Sequence, residues 1–213
     1  QENVSAKQAE ERLSQMELSR LKIAQAEIRC RSVEQLQVSH LNFAYPDGKQ
    51  ILKDISFQAK KGQMIGITGP VACGKSTLGK AFLCEYPYEG QILVDGKELQ
   101  NITPSQRTAI MGYLGLALAR TLCHKKPVLV LDDPFSALDK STERQIFENL
   151  KEQSKNNIVL LISHRLYLFP QMDQIIWMED GKTVVGTHEE LLANVTEYRK
   201  LFTEEGGAQG ENG

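Results

Sequence analysis

Gly69, Pro70, Val71, Ala72, Cys73, Gly74, Lys75, Ser76 and Thr77 read G-x-x-x-x-G-K-S-T, a spacing whose chemistry is the grip of a phosphate chain. Gly69 and Gly74 free the backbone to curl its N–H groups around phosphate oxygens. Lys75 carries a positive charge to the outer phosphates, and Ser76 offers a hydroxyl to Mg2+. Met64 to Thr68 (MIGIT) suits a buried strand, and Ser76 to Leu83 suits the start of a helix. Strand, loop and helix come in the order the motif requires, and the helix dipole adds to the attraction for an anion.

Two further places carry chemistry. The apolar run Val128 to Leu131 ends in Asp132 and Asp133, so a strand delivers two carboxylates to the rim of a sheet, where ligands bind in such folds. Beside a phosphate loop, Asp132 is the candidate to hold Mg2+ opposite Ser76, and Asp133 the candidate to polarise an attacking water. The same two acids also suit the capping of a turn. Ile158 to Ile162 is a second apolar run, followed by Ser163 and His164. A histidine there can donate a hydrogen bond to a terminal phosphate, or can be a plain surface residue.

The elements that must position these groups are legible in outline. Leu36 to Tyr45 and Ile51 to Phe57 flank the turn Pro46-Asp47-Gly48 and predict a hairpin; Gln91 to Val94, with the turn Asp95-Gly96, predicts more antiparallel strands. Beyond Val128 the pattern alternates. Strand Val128–Asp132, helix Ser141–Ser154, strand Ile158–Ser163, strands Ile175–Met178 and Thr183–Val185, and helix Glu189–Phe202 follow in turn. The expectation is an α/β fold of the P-loop NTPase kind, with a mostly parallel core sheet flanked by helices and an antiparallel edge built from the early hairpins. Residues 203–213 are glycine-rich and are expected to form a flexible tail. Residues 1–33 contain Leu13, Met16, Leu21, Ala24 and Ile28 near one helical stripe. That segment is either an extra helix on its own domain or a connector from an upstream one.

Composition sets limits. With 213 residues, 41% apolar and 24% charged, the chain can bury a substantial core. A net charge of -2 leaves no excess of lysine and arginine for non-specific nucleic-acid binding. No apolar run is long enough to cross a bilayer, so no direct membrane insertion is expected. Cys30, Cys73, Cys84 and Cys123 are scattered without metal spacing, which fits free thiols in a reducing setting. The chain begins at Gln1, which suggests a piece of a longer or processed polypeptide.

These motifs together resemble the nucleotide-binding domain of ABC transporters, the exporter type in particular. GPVACGKST is similar to the family's Walker A, VLVLDDPFSALD (Val128 to Asp139) to Walker B running into the D-loop, and Ser163-His164-Arg165 to the switch histidine segment. VSHLNFAYPDGKQILKDISF resembles the opening strands, with Tyr45 where the family stacks an aromatic ring on adenine, and MEDGKTVVGTHEELL resembles the closing strands and helix. The likeness covers residues 34–202. It implies ATP and Mg2+ as ligands, and Asp133 and His164 as catalytic residues. It also implies two partners: the transmembrane domains of a transporter at the cytoplasmic face of the cell membrane, and a second nucleotide-binding domain that sandwiches two ATP molecules. Asp139 would lie at that second interface, and residues 1–33 would descend from the transmembrane domain.

Two departures from the family pattern stand out. Neither the glutamine that links nucleotide to membrane domain nor the LSGGQ signature is present. The text passes from Ala109-Ile110-Met111-Gly112-Tyr113 through Leu114 and Gly115 to Leu116-Ala117-Leu118-Ala119-Arg120, a run resembling the helix after the signature. A helical subdomain is therefore missing near residues 113–116, by deliberate deletion, by omission from the sequence as read, or as a natural variant. The second departure is Asp133, where active members generally carry glutamate. One methylene less retracts the carboxylate, and misplacement of that order can cost roughly 100-fold in rate, so weak hydrolysis is expected. A regulatory module that binds ATP without useful turnover and a soluble ABC-type ATPase are the alternatives.

Overall fold

The computed structural model describes residues 2–29, 32–115 and 126–210; the run Leu116 to Arg120, Cys30 and Cys123 lie outside them. The chain divides into two units, residues 1–31 and 32–213. The first holds one long helix, α1 (Glu2–Arg29). Leu13, Met16 and Leu18 stand exposed on it.

In the second unit β1 (Gln35–Ala44) and β2 (Gln50–Lys60) form the expected hairpin, and β3 (Met64–Thr68) runs through the phosphate loop into α2 (Lys75–Phe82). Then come β4 (Glu89–Val94), β5 (Lys97–Glu98), α3 (Pro104–Ile110) and β6 (Met111–Leu114). The remaining elements are β7 (Val128–Asp132), α4 (Lys140–Ser154), β8 (Ile158–Ile162), β9 (Gln174–Glu179), β10 (Lys182–Gly186), α5 (His188–Asn194) and α6 (Thr196–Gly210).

The strands form two sheets, ordered β2-β1-β4-β5 and β10-β9-β3-β8-β7-β6. The first is antiparallel throughout. In the second, β9, β3, β8, β7 and β6 are parallel neighbours and β10 closes one edge antiparallel to β9. The early hairpins thus make a sheet of their own, and β10 is the antiparallel edge of the parallel one. Sequence explains the division. β1 alternates buried and more exposed positions along much of its length, as a strand with one wet face must. All five residues of β3 and all five of β8 are buried, as strands covered on both faces must be.

Alternate residues of the parallel strands feed two separate cores. Ile65, Ile67, Val128, Val130, Leu160 and Ile162 join Leu36, Leu41, Leu52 and Phe82 on the side of the antiparallel sheet. Met64, Leu129, Leu131, Val159 and Leu161 join Phe135, Phe147, Phe169, Trp177 and Tyr198 on the other. Each such side chain, fully buried, contributes about 1.5–3 kcal/mol, which fixes the register of the strands and with it the height at which their ends emerge.

Three elements differ from expectation. The helix expected over Glu189–Phe202 is interrupted at Val195, the C-cap of α5, before α6 begins. The segment expected as a flexible tail from residue 203 continues as helix to Gly210. Between β5 and β6, the short helix α3 starts at a capping box: the Gln106 N–H donates to Thr103 Oγ1 and the Thr103 N–H to Gln106 Oε1, with Pro104 in the first turn.

Candidate functional site

Parallel strands end on the same side of a sheet, so β3, β8 and β7 bring the phosphate loop, Ser163-His164 and Asp132-Asp133 to one rim. Backbone bonds lock the three ends together. Ser163 N–H donates to Ile67 O at 3.1 Å and Asp133 N–H to Ile162 O at 2.8 Å.

The loop owes its curl to two left-handed residues, Ala72 (φ 62) and Gly74 (φ 102). Gly74 is the N-cap of α2 and no side chain caps that end, so the first N–H groups of the helix are left for an anion. Gly69 is required by contact. A Cβ there would sit 2.0 Å from the Met178 carbonyl oxygen and 2.9 Å from Cys73 Sγ. Lys75 is folded over the loop: its ammonium donates to Gly69 O at 2.7 Å, Pro70 O at 2.8 Å and Cys73 Sγ at 3.3 Å, and the residue is 7% exposed. The ammonium is thus kept beside the cradle by three acceptors that a phosphate would outcompete.

A cavity of about 400 Å³ lies over this loop, lined by Val71 to Thr77, Lys49, Ile51 and His164. His164 therefore faces the same space as Lys75 and Ser76. Asp132 and Asp133, both half-buried, stand at the neighbouring strand end. Asp133 is held in the left-handed region, φ 48, which aspartate tolerates better than most residues.

Tyr45 is close to the loop in another way. Its hydroxyl lies 3.4 Å from Thr77 Oγ1, and its ring meets Phe43 and Tyr86 edge-on at 5.1 and 5.8 Å. The aromatic edge of the site is thus a group of three rings, and Phe43 and Tyr86 were not singled out by the sequence. Asp139 caps α4: it accepts from Thr142 N at 2.9 Å and from Thr142 Oγ1 at 2.7 Å, and the backbone bond before all holds its carboxyl below the usual value.

A further residue, besides Phe43 and Tyr86, was not singled out by the sequence. Tyr113, on β6, donates its hydroxyl to Asp132 Oδ2 at 2.6 Å. Burial first, and this bond second, push the Tyr113 hydroxyl well above its ordinary range. The aromatic residue in a strand beside an Asp-terminated strand is the signal that could have found it.

A parallel sheet whose strand ends present a phosphate loop, a pair of acids and a histidine defines the P-loop nucleotide-binding class. Known proteins narrow that class. A family model described as "ABC transporter" matches residues 52–115. The probable multidrug resistance ABC transporter ATP-binding/permease protein YheI of Bacillus subtilis is 31% identical over 244 residues, covering 80% of this chain and 42% of the relative. An ATP-dependent lipid A-core flippase of Pseudomonas syringae pv. tomato is 32% identical over 234 residues, covering 78% of this chain and 39% of the relative. A structure of a bacterial Atm1-family ABC exporter with ATP bound superposes with a TM-score of 0.72 at 20% identity, covering 82% of this chain and 42% of that one; this likeness shows the fold. The chain has the ABC ATPase fold, carries the ABC transporter family match over residues 52–115, and is similar to a part of ABC transporter ATP-binding/permease proteins.

The chain spans about two fifths of the length of these relatives. Their alignments also run several dozen positions longer than the stretch of this chain that takes part in them. The family match stops at Gly115, beside the place where the glutamine and the signature are missing from the sequence. Among the described residues no helix is long and apolar enough to cross a membrane.

Proposed function

We propose that this chain is the ATP-binding and ATP-hydrolysing domain of a membrane ABC exporter, with a weakly hydrolysing site. Gly69 to Thr77 take the phosphates, Lys75 leaves its loop carbonyls for the outer phosphoryl oxygens, and Tyr45 packs against adenine. Ser76 and Asp132 hold Mg2+, which supplies charge neutralisation on the phosphate oxygens. Asp133 orients the attacking water and His164 donates to the terminal phosphate. The observation that carries this reading is the shared cavity: the uncapped N-terminus of α2, Lys75, Ser76 and His164 all line it.

Export requires partners. Transmembrane domains and a second nucleotide-binding domain supply the moving parts, with this chain at the cytoplasmic face of the membrane and no part of it inserted. The missing signature sequence near 113–116 deprives a partner's site of the backbone donors that gather transition-state charge, while this chain's own Walker A is kept. For that reason, and because of Asp133, an ATP-binding regulatory module with little turnover is the second reading.

Calorimetry with ATP and Mg2+, against Lys75→Ala, tests the proposal. Heat of binding in the parent chain that is lost in the variant supports it; no binding in the well-folded parent chain refutes it. Phosphate release above the Lys75→Ala background favours the hydrolase, and binding without release favours the regulatory module.

A further inference from the structure

The sequence assigns Asp132 to the metal without saying what fixes its carboxylate. That group sits at the end of β7, where a free carboxylate has a choice of rotamers. Tyr113 removes the choice. It lies on the neighbouring parallel strand, in register with Val130 two residues before Asp132, and its hydroxyl reaches Oδ2 at 2.6 Å. Among the described residues it is the one side-chain partner Asp132 has. Among the described residues only one carboxylate oxygen is engaged by a side chain.

The ring is held as firmly as the hydroxyl. It fills a slot against α2 that exists because residue 79 is glycine: a Cβ there would lie 2.5 Å from Tyr113 Cε2 and 2.9 Å from the Tyr113 oxygen. Gly79 is one turn beyond Ser76 on the same helix, and both stand on α2. The tyrosine is therefore wedged between the helix that carries the Ser76 hydroxyl and the strand that carries the Asp132 carboxylate.

We propose that Tyr113 is a positioning residue for the metal site: it holds Asp132 by one oxygen and spaces it from α2, so that the carboxylate and Ser76 are set for the metal ion of a bound nucleotide. The inference rests on the Mg2+-ATP reading given above. Partners that orient a metal-binding side chain in this way typically carry 10–100-fold in metal affinity. Because β6 ends at the join where the helical subdomain is missing, the same contact ties the metal's carboxylate to that edge of the sheet.

The test is the ratio of ATP affinity with Mg2+ to ATP affinity in EDTA, measured by calorimetry on the whole chain. Tyr113→Phe keeps the ring and removes the hydroxyl; Gly79→Ala keeps the hydroxyl and pushes the ring away. Both variants are expected to lower the Mg2+-dependent gain by about tenfold or more, with EDTA affinity unchanged, and to weaken Mn2+ binding to the ATP complex in electron paramagnetic resonance by a similar factor. An unchanged gain in Tyr113→Phe overturns the inference. So does an equal loss with and without Mg2+, which marks a purely structural role, or a larger gain, which marks the hydroxyl as a competitor of the metal. If the parent chain binds no ATP in either buffer, the nucleotide reading fails and the inference falls with it; binding by the parent with no difference in the variants sinks the inference alone.

Discussion

The carboxylate of Glu205, on α6, accepts the backbone N–H of Leu166 at 2.6 Å, tying the last helix of the chain to the turn that follows His164. That 3-10 turn, Leu166–Gln171, has no side-chain cap of its own, so a residue from a distant element supplies it. Burial raises the Glu205 carboxyl above its ordinary value, with the Leu166 bond opposing.

The first prediction concerns this cap. Glu205→Ala leaves the Leu166 N–H without its partner and is expected to cost about 1–3 kcal/mol, read by urea unfolding. Glu205→Gln keeps an acceptor without the charge and should be at least as stable as the parent at neutral pH. A raised carboxyl contributes stability that is full below the ordinary carboxylate range and is lost as pH rises through the raised value. Glu205→Gln should flatten that part of the stability-pH curve, and an unaltered curve would contradict the assignment.

His188 predicts a slope of the opposite sign. Its Nδ1 lies 2.7 Å from Tyr198 Oη, and its ring packs 4.6 Å from that of Phe202. Burial pushes its pKa down, so the stability tied to neutral His188 is present above the ordinary histidine value and is lost as pH falls through the lowered one. The thermal midpoint should therefore drop between neutral pH and about pH 5. His188→Asn, less stable at every pH, should show less of that drop; an equal drop in the two proteins argues against His188 as its source.

Gly69 tests the cradle sterically. A methyl group there meets the Met178 carbonyl oxygen at 2.0 Å, and backbone cannot step aside as a side-chain tip can. Gly69→Ala should destabilise by about 1–3 kcal/mol and abolish nucleotide heat in calorimetry. Gly115, with nothing among the described residues within 4 Å of an added Cβ, is the control: Gly115→Ala should stay within roughly 0.5 kcal/mol of the parent.

The parallel sheet was legible because its strands are continuous apolar runs that end in chemistry: MIGIT before the loop, VLVLDD, IVLLIS before His164. Spacing identifies such groups directly. What the pattern hides is contact between elements. Val195 breaks the terminal helix although its neighbours read as helical, and the residues after Phe202 stay helical although glycine-rich, with Glu205 anchored on Leu166. α3 was signalled by Thr103-Pro104-Ser105-Gln106, a capping box with proline in the first turn, and is short enough to pass unnoticed. Tyr113 falls in no motif: an aromatic residue on a strand near an Asp-terminated one hints at it, but its role depends on the register of β6 with β7 and on the space left by Gly79 for its ring, which local spacing does not encode.

Asp133 carries the last prediction, because its backbone and its side chain pull in different directions. The residue sits at φ 48 with its N–H bound to Ile162 O at 2.8 Å, a conformation that aspartate adopts more readily than glutamate. Glutamate would extend the carboxylate by one methylene toward the water it is meant to polarise, and effects of that distance are large in rate. Asp133→Glu, in a chain to which the helical subdomain has been supplied, should therefore raise phosphate release severalfold over the Lys75→Ala background. The same change should lower stability by up to about 1 kcal/mol for the less favoured left-handed backbone. Asp133→Asn tolerates that backbone as aspartate does but lacks the proposed base, so it should reduce turnover without a comparable loss of stability. If glutamate brings no rise and asparagine no fall, the water is oriented by another group, and Asp133 serves the turn between β7 and α4 instead.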